Sequence, residues 1–359
     1  MNNNEITFLI NKSRIINNYH NYSKIGNIYY PLKTNTNKII LKTLSNNFSQ
    51  NDGFLISNLT HFNILNSMNI SPKKMGYINV LSSNDTTKYL YDKGVRFFVF
   101  DNIKSLEEFI NYANLKECRI AIRLNTMEVF DDTLMHLGAS TIECKKMLDE
   151  LINKCESIGI SFYLQTKIKN EKDALERMLQ HIQNNFKEYN IDFLSLAGLK
   201  KYDEINTKSI NEIKHNMNLK NIILEPGKYL VSDSVNLITK VIRKKQINNK
   251  NIIIIKNGIY SGLLDVILYN EKFKFYLVDN NEYIKFSYIK NDNDDVEVNI
   301  CGGSSDSGDV IGTLYINKKY FDKIQIGSEI LIKDVGAYFE EFFMTYGGDI
   351  NKVYMEVDK

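Results

Sequence analysis

Long apolar runs are missing from this sequence. Its N-terminus, MNNNEITFLINKSR, offers one short apolar stretch between polar flanks, which predicts neither a signal peptide nor a membrane span. Blocks of one charge are missing too: 45 Lys and Arg face 43 Asp and Glu, the formal net charge is +2, and the lysines are scattered. Nucleic acid is therefore not expected as a partner. Cysteine is scarce, and Cys118, Cys144, Cys155 and Cys301 form no CxxC pair and no ligand-like spacing with the 5 histidines. That predicts reduced thiols in a cytoplasmic protein and no metal site. The absence of Trp and the 3 prolines, beside abundant Asn, Ile and Lys, reflect coding bias and carry no functional weight.

What is present is ample for a large core. A chain of 359 residues, 43% hydrophobic and 25% charged, predicts about two domains of ordinary globular character. Eight short apolar or alternating runs recur between turn residues and helical patterns: NIYYPL (27–32), DGFLIS (52–57), KMGYIN (74–79), RFFVF (96–100), RIAIRL (119–124), SFYLQT (161–166), FLSLAG (193–198) and NIILEP (221–226). Segments such as KIILKTLSNNF, KSLEEFINYANL and ECKKMLDELINKCES return apolar residues at three- and four-residue intervals, as amphipathic helices do. This strand-helix rhythm predicts an α/β fold with a parallel (β/α)8 barrel. After about Asp233 the texture changes to alternating strands and turns, almost without helical pattern, which predicts a β-domain. The run EITFLI near the N-terminus could return to pair with it.

Active sites of such barrels lie where the βα loops gather, at the C-terminal ends of the strands. Lys33, in YYPLKTNTN, falls at such an end, where lost hydration would free its amine to attack a carbonyl and form a Schiff base. A solvated lysine at a strand end is the plainer alternative. Glu225, in IILEPGK, stands at another end, before a Pro-Gly turn; it reads either as a turn cap or as a carboxylate kept against a ring nitrogen. CGGSSDSGD (301–309) is a glycine-rich link that is either a common hairpin or an approach for an anion. Tyr338, in DVGAYFEEF, is a core residue or a hydrogen-bond donor to an anionic group.

In this order the four segments resemble the fold-type III pyridoxal-phosphate decarboxylases, the ornithine/diaminopimelate/arginine decarboxylase family, across nearly the whole chain. YYPLKTN resembles that family's cofactor-lysine strand, EPGK its EPGR, CGGSSDSGDVIG its GP-x-C-[DE]-S-x-D-V loop, and DVGAYFEEF its GAY segment. KNGIYSGLLDVILYN (256–270) is similar to the ornithine-type stretch before the substrate acid, which points to Tyr269 and Asn270 as substrate-side residues. The resemblance implies an alanine-racemase-like fold: a cofactor-binding barrel over 26–232, and a β-domain of 1–25 with 233–359, a β-sandwich or β-barrel. It implies pyridoxal 5'-phosphate on Lys33 as an internal aldimine, with Glu225 at its ring nitrogen. Thr166, Gly198, Gly227, Lys228 and Tyr338 match positions near the phosphate, and Arg123 and His136 other active-site positions. It further implies decarboxylation of a small-molecule amino acid through a quinonoid intermediate, in a homodimer whose 301–309 loop completes the partner's site.

Several residues depart from the family pattern. Ser305 replaces the cysteine that protonates the intermediate, and a hydroxyl is a far weaker acid than a thiol of pKa about 8.5. Lys33, Tyr163 or His136 is then expected to be the proton donor. Tyr163 replaces a ring-stacking histidine and can itself stack. Ala197-Gly198-Leu199 replaces three glycines, which predicts weaker phosphate binding unless Lys200, Lys201 or Lys228 compensates. Asn270 replaces the aspartate for the substrate's distal ammonium, a loss of ~1.5–3 kcal/mol, so ornithine is not expected; Asp306 keeps an acid in the loop. Phe54 also replaces an acid expected near the cofactor. The readings left open are a decarboxylase, a non-catalytic decarboxylase-like regulator, and a racemase using Tyr260 or Tyr163.

Overall fold

Apolar runs bounded by turn residues build two separate strand systems in the computed structural model, which describes residues 5–79, 84–130, 135–164 and 171–357. The first strand, β1 (Glu5–Asn11), belongs to the second system. The next eight, β2 (Asn27–Pro31), β3 (Gly53–Ile56), β4 (Met75–Asn79), β5 (Phe97–Phe100), β6 (Arg119–Arg123), β7 (Ser157–Tyr163), β8 (Phe193–Ala197) and β9 (Asn221–Glu225), close in that order into a parallel barrel. All eight expected runs are strands of it. The seventh begins four residues earlier than expected, at Ser157, because SIGI continues the pairing with β6 and β8.

Chain contacts divide the molecule into two units: Ile16–Lys33 with Lys42–Leu230, and Met1–Ile15 with Thr34–Leu41 and Val231–Lys359. Within the first, parallel strands need helical crossovers, and amphipathic helices supply them. Helix Ile103–Ile110 starts on Asn102, whose side chain accepts from the Ser105 N–H, and buries Leu106 and Phe109. Helix Thr141–Leu151 starts on Ser140 in the same way and buries Met147, Leu148 and Leu151. Both stop before the end of their periodic segment. After the second, Ile152 turns to ψ 130 and the chain leaves the helix. Tyr29, Leu55, Phe97, Val99, Ala121, Phe193 and Ile223 form an apolar plug contributed by several strands. Its rings meet edge to face, Tyr29 on Phe97 at 5.1 Å and Phe97 on Phe193 at 5.8 Å.

The second unit is a nine-stranded sheet. β10 (Val235–Ile247) is its spine, and the main path adds β11 (Lys250–Ile255), β12 (Lys274–Asp279), β13 (Glu282–Lys285), β14 (Asp295–Cys301), β15 (Val310–Asn317) and β16 (Glu329–Lys333). β1 pairs antiparallel with β10 and parallel with β17 (Asn351–Val357), so the EITFLI run does join this sheet. Its alternation explains the pairing: Ile6, Phe8 and Ile10 are buried on one face. β14 and β15 form the hairpin whose connection is 302–309.

Candidate active site

Alternation along each strand decides which side chains enter the barrel. Tyr29, Ala121, Phe193 and Ile223 belong to the plug, so Pro31, Arg123, Ser195 and Glu225, two residues further, share its face one step nearer the C-terminal ends. Ser161 is the direct register partner of Ser195 between β7 and β8. A polar layer thus sits on the apolar plug, and Arg123, Ser161, Ser195 and Glu225 are all buried. Ser195 Oγ donates to Glu225 Oε1 at 2.6 Å, and Ser161 Oγ reaches the same oxygen at 3.5 Å. Burial pushes the Glu225 carboxyl up from its ordinary value; the Ser195 bond, the charges of Arg123 and Lys33, and the Ser161 bond pull it back.

Lys33 lies in the single turn Leu32–Thr34 that follows β2. Solvent reaches its side chain, yet its ammonium pKa is lowered, first by desolvation and then by Arg123, against the opposing charge of Glu225. Such an amine has a larger neutral fraction near neutral pH than a surface lysine, which nucleophilic attack requires.

His61 escaped the sequence analysis. It occupies the first turn of helix Leu59–Ser67, where Asn58 accepts from its N–H at 2.9 Å, and it is 5% exposed. Its Nδ1 accepts from the Ser57 N–H at 3.3 Å and lies 3.3 Å from the Ser57 hydroxyl. Burial and then the charge of Lys33 push its pKa down to about 4, so it is a neutral imidazole beside the lysine. Its only sequence signal is position: Ser57 and Lys33 each lie two residues past the register partners Leu55 and Pro31.

The other barrel candidates spread around this group. Tyr163, Ala197 and Glu225 are register partners at three successive strand ends. Gly198 has φ +76, and a β-carbon there would stand 1.9 Å from the Leu164 carbonyl oxygen, so backbone approach already demands glycine. Ala197 and Leu199 are buried, which leaves one glycine where three were expected to admit a phosphate. Gly227 and Lys228 follow β9 directly and are half-buried. Thr166 lies outside the described residues. His136 is exposed, and among the described residues nothing ties it to Lys33, Arg123 or Glu225. Phe54 is no substitute for an acid at the site: its neighbour Leu55 is in the plug, so Phe54 faces the opposite side and packs on Phe48 at 4.9 Å.

The second unit holds the remaining candidates. Ser305 is exposed at the tip of the β14–β15 connection. Next to it, Asp306 accepts from the Tyr260 hydroxyl at 2.5 Å and from the Gly308 N–H at 2.8 Å, which hold its carboxyl below the ordinary value and push the Tyr260 phenol up to about 12. Asp309 is buried and accepts from the Ile259 N–H at 2.8 Å; β-carbons on Gly258 or Gly302 would fall 2.2 Å from its oxygens. Tyr338 has φ +61 and donates its N–H to the Thr34 carbonyl at 2.6 Å, while its ring lies 6.1 Å from that of Tyr269. Tyr269 and Asn270 are exposed. Burial raises the thiol pKa of all four cysteines, so none is primed as a thiolate.

A barrel with this polar layer, joined in one chain to this sheet, defines a fold-type III decarboxylase architecture. A family model described as pyridoxal-dependent decarboxylase, C-terminal sheet domain, matches residues 88–336, well over half of the chain, and the chain belongs to that family. It is 23% identical to ornithine decarboxylase of Candida albicans, over 92% of this chain and 78% of that protein. It is 22% identical to antizyme inhibitor 2 of Xenopus laevis, over 62% of this chain and 51% of that protein. The arginine decarboxylase of Paramecium bursaria Chlorella virus has the same fold, with a TM-score of 0.80 and 18% identity over 98% of this chain and 97% of that one. The family's cofactor is pyridoxal phosphate. The residues present fit it: a dehydrated amine suits its aldehyde, and a buried carboxylate held by hydroxyls suits its ring nitrogen. Among the described residues no helix is long and apolar enough to cross a membrane.

Proposed function

We propose that this protein is a pyridoxal-phosphate-dependent decarboxylase of an amino acid or amino-acid conjugate, acting as a homodimer. The observation that carries this reading is the charge group of accessible Lys33 with buried Arg123 and Glu225, set on the plug at the C-terminal end of the barrel. Lys33 would hold the cofactor's aldehyde and Glu225 its ring nitrogen; Tyr163 would cover the ring, and Gly198, Gly227 and Lys228 would surround the phosphate. When bound, the cofactor supplies an electron sink into which the electrons of the breaking Cα–carboxylate bond can pass. The chain must then return a proton to Cα. Lys33 would be the acid at hand, because the Ser305 hydroxyl is too weak an acid and burial raises the pKa of every thiol, which makes each a weaker proton donor.

A substrate with a neutral or weakly polar tail fits best. Asn270 carries no charge, and both oxygens of Asp306 are already engaged. Consecutive exposed Ile267, Leu268 and Tyr269 support the dimer, since apolar side chains presented in a row favour a partner surface. A racemase using Tyr260 is disfavoured, because the Tyr260 hydroxyl is committed to Asp306. A non-catalytic regulator is the second reading, favoured by Ser305 and by similarity to a protein named as an inhibitor rather than an enzyme. Release of CO2 from neutral amino acids, their conjugates and diamino acids, with Lys33→Ala as the blank, separates the two. Release that depends on Lys33 is expected; cofactor binding without release from any of them would select the regulator.

A further inference from the structure

We infer that Ser195, seconded by Ser161, is a positioning residue that keeps Glu225 as a carboxylate and aims its free oxygen into the barrel mouth. Glu225 is 5% exposed, Ser195 0% and Ser161 1%. A carboxylate taken so far out of water takes up a proton unless donors and cations replace its hydration. Among the described residues the only hydrogen-bond donors to it are these two hydroxyls, and both reach Oε1. Oε2 is left without a bond from the described residues. The charges that face Glu225 are Arg123 on β6 and Lys33 after β2; neither is hydrogen-bonded to it.

The placement of the serines follows from strand register. Ser161 and Ser195 are direct partners across β7 and β8, and Ala197, two residues past Ser195, is the partner of Glu225 across β8 and β9. The inward face of β8 therefore delivers a hydroxyl diagonally to the carboxylate on the next strand. The plug beneath is hydrophobic, and these hydroxyls belong to the polar layer set directly on it. Pinning Oε1 restrains the carboxylate and would leave Oε2 available to a ring N–H of the cofactor. An unpinned, protonated Glu225 could not form an ion pair with one.

This inference rests on the reading of Glu225 as the partner of a ring nitrogen, and its test has one arm that does not. In cofactor-free protein, the infrared carboxylic-acid band of Glu225, identified by its loss in Glu225→Gln, is followed against pH in wild type, S195A, S161A and S195T. Loss of one hydrogen bond to a charged group predicts an upward shift of the midpoint by about one pH unit in S195A, or about tenfold in the protonation equilibrium. S161A, losing the longer bond, shifts less, and S195T, which keeps a hydroxyl, restores the wild-type midpoint. Equal midpoints in S195A and wild type would overturn the inference whatever happens to folding stability. In the second arm, the affinity for pyridoxal phosphate falls about tenfold in S195A and recovers in S195T; unchanged affinity would sever Ser195 from the cofactor. If wild-type protein binds no pyridoxal phosphate, the functional reading fails and the carboxyl titration alone decides the role of Ser195.

Discussion

The hydroxyl of Tyr260 donates to the carboxylate of Asp306 at 2.5 Å. The bond ties a tyrosine from the segment after β11 to the acid beside Ser305 in the β14–β15 connection, and with the Gly308 N–H it occupies both carboxylate oxygens. Replacing Tyr260 by Phe frees one oxygen. On the decarboxylase reading, Y260F lowers the KM of a substrate with a cationic tail by about tenfold and leaves that of a neutral-tail substrate unchanged. Steady-state kinetics on a matched pair of substrates measures the difference; equal changes in both would show that Asp306 does not face the substrate tail.

The same connection depends on a buried acid. Asp309 is 2% exposed and accepts from the Ile259 N–H at 2.8 Å and the Ser304 N–H at 3.3 Å. Since β-carbons at Gly258 and Gly302 would meet its oxygens at 2.2 Å, G258A and G302A are each expected to destabilise the protein by about 1–3 kcal/mol through overpacking. Asp309→Ala, which leaves the Ile259 N–H without its acceptor, is expected to cost a similar amount. Denaturant unfolding of the three variants is the check, and a loss below about 0.5 kcal/mol in all three would mean that this lock is not formed.

His61 makes stability depend on pH. Its folded-state pKa of about 4 lies below the ordinary 6.5, so between these values the unfolded chain binds the extra proton. Stability contributed by the buried neutral imidazole is whole above pH 6.5 and falls as pH drops toward 4, by up to about 3 kcal/mol. The neighbours that face the ring are Lys33, whose charge opposes protonation, and the Ser57 N–H and hydroxyl at Nδ1. In H61Q that loss disappears. Unfolding free energies of wild type and H61Q at pH 7, 5.5 and 4.5 should therefore converge with falling pH; a constant difference across the series would show that His61 is not buried as a neutral ring.

Much of this was legible in the sequence, and the reason differs by element. Barrel strands are continuous apolar runs cut by turn residues, so NIYYPL, RIAIRL and NIILEP announce themselves, and the lysine and glutamate at the ends of two of them are conspicuous. The start of β7 was not, because Ser157 and Gly159 dilute its apolar signal; pairing on both sides overrides the weak local preference. Helix ends were misread where an apolar residue such as Ile152 falls just after the helix has stopped. Ser161 and Ser195 were hidden inside runs read as apolar, although a hydroxyl on the inward face of a buried strand always needs a partner, and that alone could have marked them. Phe54 was placed by family resemblance near the cofactor, a reading that period-two alternation with Leu55 corrects, because it puts Phe54 on the opposite face of its strand.

The measurement that bears most directly on the central claim is the site of borohydride-fixed pyridoxal phosphate. Purified protein is titrated with the cofactor, reduced, digested and mapped. The account predicts near-stoichiometric label on Lys33, visible absorbance that reduction removes, and loss of both in Lys33→Ala, which is folded by circular dichroism. Label scattered over surface lysines, or equal absorbance in wild type and Lys33→Ala, would contradict it.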